Sequence, residues 1–412
     1  MAKFTASVPL NIRLPGGFEV SGAAGATHRI PDSLAEEFER DQAANIPGFA
    51  WVLQDESSHG SVSGNPHAVS VKLAAAVHNS ADLTADVVAT FSTLDTHINA
   101  TAFDGFTILT GTFSTGRVWG SNDLGLTWQD LGAIKTGQPA DYDVTTIIAV
   151  APGVFLAGCG NSGSGNQIFK TTDSGRTWLQ VHSTPTSTGS EGFSLAASPE
   201  QQWLAGSYSV SAGSGAKIWR SSDWGNTWSI VSSTETTKTS IRQIAHVRNN
   251  VYVAGVYGAS PNEVKVYRSA DNGATWASTQ TIASTDIYSI LSLPNDVVLL
   301  GTHPSGLVYR SSDIGVSFST VADLSGGAAG QSQVMGLSRL GNSVLAFVQQ
   351  GTAQTTVVYV SDDEGLTWTK VATLSTTYHY HNPVAVDHRT LVAGAAKTTG
   401  GGPAAVRFKY FG

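Results

Sequence analysis

The sequence predicts an all-β chain organised around a seven-bladed β-propeller. Three observations carry that expectation. An eight-residue turn motif occurs six times, an apolar run occurs seven times, and one strand-like segment ahead of the first motif supplies what the last copy lacks. Composition agrees. Of 412 residues 41% are hydrophobic, only 13% are charged and 44 are glycine, which favours many short strands joined by tight turns over a charged helical bundle.

The motif reads Ser121-Asn122-Asp123-Leu124-Gly125-Leu126-Thr127-Trp128 in its first copy. Its aspartates are Asp123, Asp173, Asp223, Asp271, Asp313 and Asp363, at spacings of 50, 50, 48, 42 and 50 residues. A period of this length marks a repeated supersecondary unit. An aspartate accepts hydrogen bonds from amides just after it, as in an Asx-turn. The glycine two residues later reaches positive φ without a Cβ clash. The closing Trp, replaced by Phe318 in the fifth copy, opens the next strand and buries a large ring. An aromatic four residues before each aspartate, Trp119 in the first copy and Tyr359 in the last, puts a strand on the other side of the turn.

The apolar run, usually ending in glycine, lies at 106–111, 154–158, 203–206, 251–255, 297–301, 344–347 and 391–394. The seventh copy is followed only by the strand-like 404–410 and therefore lacks an outer strand. Segment 86–94, ahead of the first copy, is expected to complete that sheet. Strands from both ends of the repeat array then seal the ring and leave no open edge at the seam. The result is seven four-stranded blades over residues 85–412.

The six motifs resemble the Asp-boxes, or BNR repeats, of sialidase-like propellers. That family contains hydrolases, receptors and assembly factors. The resemblance implies that the box sits on the turn between the third and fourth strands of a blade and that its aspartate is structural. It also supplies a test for sialidase activity: an aromatic-Arg-Ile-Pro run on the first strand, three arginines gripping a carboxylate, and a Tyr/Glu pair. The chain contains His28-Arg29-Ile30-Pro31, but this run lies outside the expected ring and is expected to lead into a helix. Arg220, Arg268 and Arg310 stand just before boxes, at the rim, so the arginine triad is missing, and no Tyr/Glu pair is found.

Residues 1–55 do not fit the repeat and are expected to form a small α+β adaptor. Its expected parts are a strand over 4–14, a turn at 15–17, a pairing segment at 18–20, a helix over 33–44 and a short strand at 49–53. Residues 56–84 are a Ser/Gly/His-rich linker with a short helix over 67–78. The segment resembles the N-terminal anchoring modules of tailed-phage virion proteins. That resemblance implies capsid or tail proteins as partners through residues 1–55, multiple copies on a particle, and a place at the virion surface, with an extracellular location as the alternative.

In a propeller the first strand of each blade and the loop before it line the central channel. These strands are expected to begin near Ile98, Val144, Phe193, Ile241, Ile287, Val334 and Val384. Ligand-binding candidates at that face are Tyr142, Asp143, Arg242, Tyr288, His379, Tyr380 and His381, which supply stacking and polar groups suited to host surface glycans. The Gly-rich loops 160–165, 210–215 and 397–402 are expected on the same face. Asp141, Asp143, Glu191 and Asp286 are the carboxylates a glycosidase would need as a pair. His379 and His381 have metal-ligand spacing, but no third ligand is identified, so no metal and no cofactor is assigned.

A formal charge of −8 with no basic block disfavours nucleic-acid binding. One cysteine, Cys159, excludes an internal disulfide. No stretch of about 18 apolar residues suggests membrane insertion. The preferred reading is a non-enzymatic phage virion protein, either a capsid decoration or a tail receptor-binding protein. The alternatives are a carbohydrate-active enzyme and a cellular protein-binding platform.

Overall fold

The computed structural model describes residues 83–410 apart from short loop segments at 92–94, 96, 138–141, 162–164, 185–189, 200–201, 210–215, 236–237, 259–262, 285, 328–331, 353–354, 375–377 and 398–401, together with four short strands within residues 2–30. The chain divides into two compact units, Met1–Ala75 and Ala76–Gly412. Among the described residues there is no helix, and the second unit is seven four-stranded antiparallel sheets.

Blade 1 runs outward through Ile98–Phe103, Ile108–Thr112, Arg117–Ser121 and Gln129–Ala133, and blades 2 to 6 repeat that order. Blade 7 takes Tyr378–Ala385, Thr390–Lys397 and Ala404–Tyr410 from the end of the chain and Leu83–Thr90 from before blade 1. The last two pair antiparallel from Tyr410 opposite Leu83 to Ala404 opposite Thr90. The expected closing ribbon is present, displaced by a few residues towards the N-terminus.

The core lies between neighbouring blades. Leu109 and Val118 of blade 1 pack with Val144, Phe155 and Phe169 of blade 2. At the seam, Phe408 meets Phe347 of blade 6 and Tyr380 edge-on, at centroid separations of 5.0 and 5.2 Å. On the other side of blade 7, Phe91 and Ala405 pack with Ile98, Trp119 and Trp128 of blade 1. Burial of such aromatic area is the main stabilising term.

Each aspartate turn joins the third and fourth strands of a blade. In the first, Asp123 Oδ1 accepts from the Thr127 amide at 2.9 Å and from the Ser121 hydroxyl at 2.8 Å, while the Thr127 hydroxyl donates to Oδ2. The bonds run to the residue four positions on, a wider loop than the Asx-turn expected from sequence. The same set recurs at Asp173, Asp223, Asp271, Asp313 and Asp363. The closing Trp indole donates back to the turn glycine carbonyl, as Trp128 does to Gly125 at 3.1 Å. Where Phe318 replaces Trp, Gln280 takes over by bonding both the amide and the carbonyl of Phe318.

The turns also connect one blade to the next. A Cβ on Gly273 of the blade 4 turn, which has φ +76°, would stand 2.6 Å from the Leu204 side chain of blade 3, so both backbone conformation and space demand glycine there. Basic side chains of a preceding blade reach the same turns. Lys170 Nζ donates to the Trp224 carbonyl, Arg268 Nε to that of Ile314, Arg310 Nε to that of Glu364, and Arg407 Nε, across the seam, to that of Leu124. Each of these carbonyls belongs to a non-glycine residue at positive φ.

Hydrogen bonding sets the acid response of these turns. Burial alone would raise the Asp313 carboxyl, but the hydroxyls of Ser311 and Ser317 and the amides of Ser317 and Val316 outweigh it and hold the pKa at about 2 instead of 3.8. The other five aspartates are lowered in the same way. A depressed folded-state value means the stabilisation is present above the ordinary carboxyl pKa and is lost as pH falls through the folded one. Thermal stability should therefore drop between about pH 4 and pH 2. An Asp313→Asn variant should show a shallower drop, read by melting temperature across that window.

The N-terminal unit keeps the expected pairing of its first segment with the one after it, with one difference in the strands. Ala2–Thr5 pairs with Thr27–Ile30, and Leu10–Arg13 pairs with Glu19–Gly22. The run expected as one strand over 4–14 is two. Pro9 falls between them and has no amide to donate to a ladder. His28-Arg29-Ile30 lies in a strand, because Phe4 and Ala2 offer it a partner from far away in sequence, and the helix it was expected to lead into falls beyond the described residues. The expected helices over 33–44 and 67–78 and the strand at 49–53 lie outside the described residues.

Candidate ligand-binding site in the central channel

The seven first strands converge on a cavity of about 440 Å³ to which every blade contributes. Its wall includes Asn99, Thr145, Arg242, Tyr288, Gln349 and Asn382. The residues come from the starts of the first strands, where the ladder opens towards one face, and from the adjoining ends of second strands.

The charged centre of the wall is built on blades 4 and 5. Arg242 Nε lies 2.5 Å from Asp286 Oδ2. Its guanidinium carbon stands 4.5 Å from the centroid of the Tyr288 ring, a cation–π arrangement. Tyr288 stacks in turn on His303, with centroids 4.9 Å apart and planes 9° from parallel. Burial pushes the Asp286 carboxyl up to about 6, with Arg242 pulling the other way. Burial, reinforced by the charge of Arg242, lowers His303. Across the channel His97 stacks on Phe113 at 4.1 Å, and burial lowers its pKa to about 4, so the ring is neutral at physiological pH.

The wall also holds unanswered polar atoms. Gln349 is 3% exposed, yet its side-chain Nε2 donates to no partner. Asn99 Oδ1 is likewise buried without a partner. Buried amides are ordinarily satisfied, and an exception calls for an explanation.

The structure sorts the seven expected ligand residues. Arg242 and Tyr288 come together in the cavity wall. Tyr142 is fully buried in the core between blades 1 and 2, where its hydroxyl donates to Gln167 Oε1 at 2.8 Å. Asp143 is 8% exposed and accepts the Ser114 amide of blade 1 at 2.9 Å, so it ties two blades together. Tyr380 is buried against Phe408. His379 and His381 lie on the first strand of blade 7 opposite Ala396 and Gly394, and their side chains fall outside the described residues. Of the carboxylates considered for catalysis, Asp286 is held by Arg242 and Asp143 by Ser114, while Asp141 and the Glu191 side chain are outside the described residues.

Sequence reasoning missed Asn99, Gln349, His97, Phe113 and His303. The one available signal was the pair Gln349-Gln350 ending an otherwise apolar strand, Ser343–Gln350.

No protein-family model matches the chain. No curated protein matches it either. Solved structures do. YCF48 bound to D1 peptide aligns over 80% of this chain and 97% of its own with a TM-score of 0.56 at 15% identity. YCF48 from Cyanidioschyzon merolae aligns over 79% and 98% with a TM-score of 0.55 at 16% identity. A streptogramin B lyase aligns over 80% and 99% with a TM-score of 0.57 at 10% identity. At such identities the likeness is one of fold, and it establishes the chain as a seven-bladed β-propeller.

Proposed function

We propose that this chain is a non-enzymatic display protein of a phage particle. Residues 1–55 anchor it to a capsid or tail protein, and the propeller presents its channel mouth to the host surface and its glycans. In this reading the six aspartate turns are Asp-boxes of the sialidase-like kind, kept as scaffold.

One observation carries the non-enzymatic part: the described carboxylates beside the channel are already engaged. Glycoside hydrolysis needs two carboxyl groups about 5 to 10 Å apart across a cleft, one poised to give a proton and the other to attack or to activate water. Asp286 is committed to Arg242, and Asp143 to an inter-blade amide. Amides, aromatics and hydroxyls make up most of the remaining polar wall, groups that bind without turning over. The virion part rests on the layout of a small module, a polar tether and a large head with few charges.

Sedimentation with assembled particles tests the reading. The full chain is expected to co-sediment in a fixed copy number. A chain beginning at residue 76 is expected to stay in the supernatant with an unchanged melting temperature. A full chain that never associates with particles contradicts the proposal.

A further inference from the structure

We infer that the channel cavity is a binding site for the end of an uncharged saccharide, held by the amides of Gln349 and Asn99 and their neighbours. The inference rests on the display reading only in supplying a surface that carries such a ligand; the site itself is argued from its own atoms.

Three features of the wall point the same way. First, two of the residues lining the cavity carry an amide atom without a partner, Gln349 Nε2 and Asn99 Oδ1, each covered by its neighbours. A sugar hydroxyl donates and accepts at one atom, so it answers either amide once that side chain turns to the cavity. Gln243, Gln333 and Asn382 add further amides to the same wall. Second, the wall carries little unmatched charge. Arg242, the arginine among its described residues, is paired with Asp286, and His97 is neutral. An anionic ligand would give up its hydration without meeting a cation that is not already compensated. Third, the Phe113 ring, backed by His97, lines the cavity and offers an apolar surface to the C–H face of a sugar ring. At about 440 Å³ the cavity is in the range of small-molecule sites and far larger than one water needs.

Titration of the full chain with lactose, maltose and N,N′-diacetylchitobiose, with 3′-sialyllactose as the anionic probe, tests the inference by calorimetry or ligand-observed magnetic resonance. At least one neutral disaccharide is expected to bind, and to bind more tightly than the sialylated probe. Gln349→Leu is expected to weaken that binding at least tenfold. It should not lower the melting temperature, because it removes a buried group that has no partner. Gln333→Met, on the neighbouring strand, should weaken binding as well and serves if Gln349→Leu misfolds. Absence of binding by every neutral probe overturns the inference, as does preference for the anionic probe or a Gln349→Leu variant that binds as the parent does. Particle association is scored separately, so a dry cavity on a protein that still co-sediments sinks the saccharide site and leaves the display reading standing.

Discussion

Gly394→Val is expected to open the propeller at its seam. A Cβ at this position would stand 2.2 Å from Ile98 Cγ2 and 2.8 Å from the Ile98 carbonyl oxygen, and Ile98 is itself fully buried at the start of blade 1. The side chain of Ile98 can rotate, but its carbonyl cannot move without shifting the first strand. Overpacking in a dense core costs about 1–3 kcal/mol and more where backbone must shift, so a loss of about 3 kcal/mol or more is expected. Gly132→Ala is the matched control. Its φ is +97°, yet a Cβ there meets nothing within 4 Å, so only the backbone penalty of about 1–2 kcal/mol applies. Chemical denaturation of both variants checks the difference. Equal losses would mean that the blade contact at Gly394 is slack.

The second large effect concerns the closing ribbon. A chain beginning at residue 76 should melt like the full propeller, whereas one beginning at residue 91 should lose cooperative unfolding and associate with itself. Removing Leu83–Thr90 strips the outer partner from Ala404–Tyr410 at seven aligned positions and leaves that strand as a free edge. Five residues of that strand, Ala404, Ala405, Val406, Phe408 and Tyr410, are buried in the intact ring. An apolar strand with unpaired amides is a template for pairing with another chain. Sizing and thermal melts of the two truncations read the outcome directly. Monomeric, cooperative unfolding of the shorter chain would show that blade 7 stands on three strands.

The ring was legible because its repeat is covalent and local. Each aspartate turn lies within eight residues, and the apolar runs mark the second strands. Even the exception makes sense in the structure. Where blade 6 carries Phe347 in place of the glycine that ends the other runs, Gly336 sits opposite it in the ladder and gives way to Pro383 of blade 7. What escaped was whatever joins one blade to the next. The residue after each aspartate adopts positive φ, yet it is Leu124, Ser174, Trp224, Asn272, Ile314 or Glu364, so no common side chain announces it. Arg268 and Arg310 were placed at the rim, which is where they lie, but their reach into the following turn depends on a neighbour 46 or 54 residues away. The N-terminal pairing of Ala2–Thr5 with Thr27–Ile30 has the same character.

The channel site divides along the same line. Arg242 and Tyr288 were found because alternation at the start of a first strand sends side chains inward. Tyr142 and Tyr380 were counted with them because a tyrosine at such a start reads alike whether its ring turns to the channel or into the core. Asn99 and Gln349 went unnoticed because a lone amide in a strand is uninformative until its missing partner can be seen.

Ring closure by the early ribbon fixes which side chains face the channel, and one cross-link tests it. Thr84 stands opposite Lys409 in the antiparallel pair, and the native Cys159 is buried and out of reach. A Thr84→Cys/Lys409→Cys variant oxidised in its folded state should form a disulfide within one chain and melt at a higher temperature than its reduced form. Cysteines that stay reduced, or that join only between chains, would place the ribbon elsewhere and contradict the closed propeller.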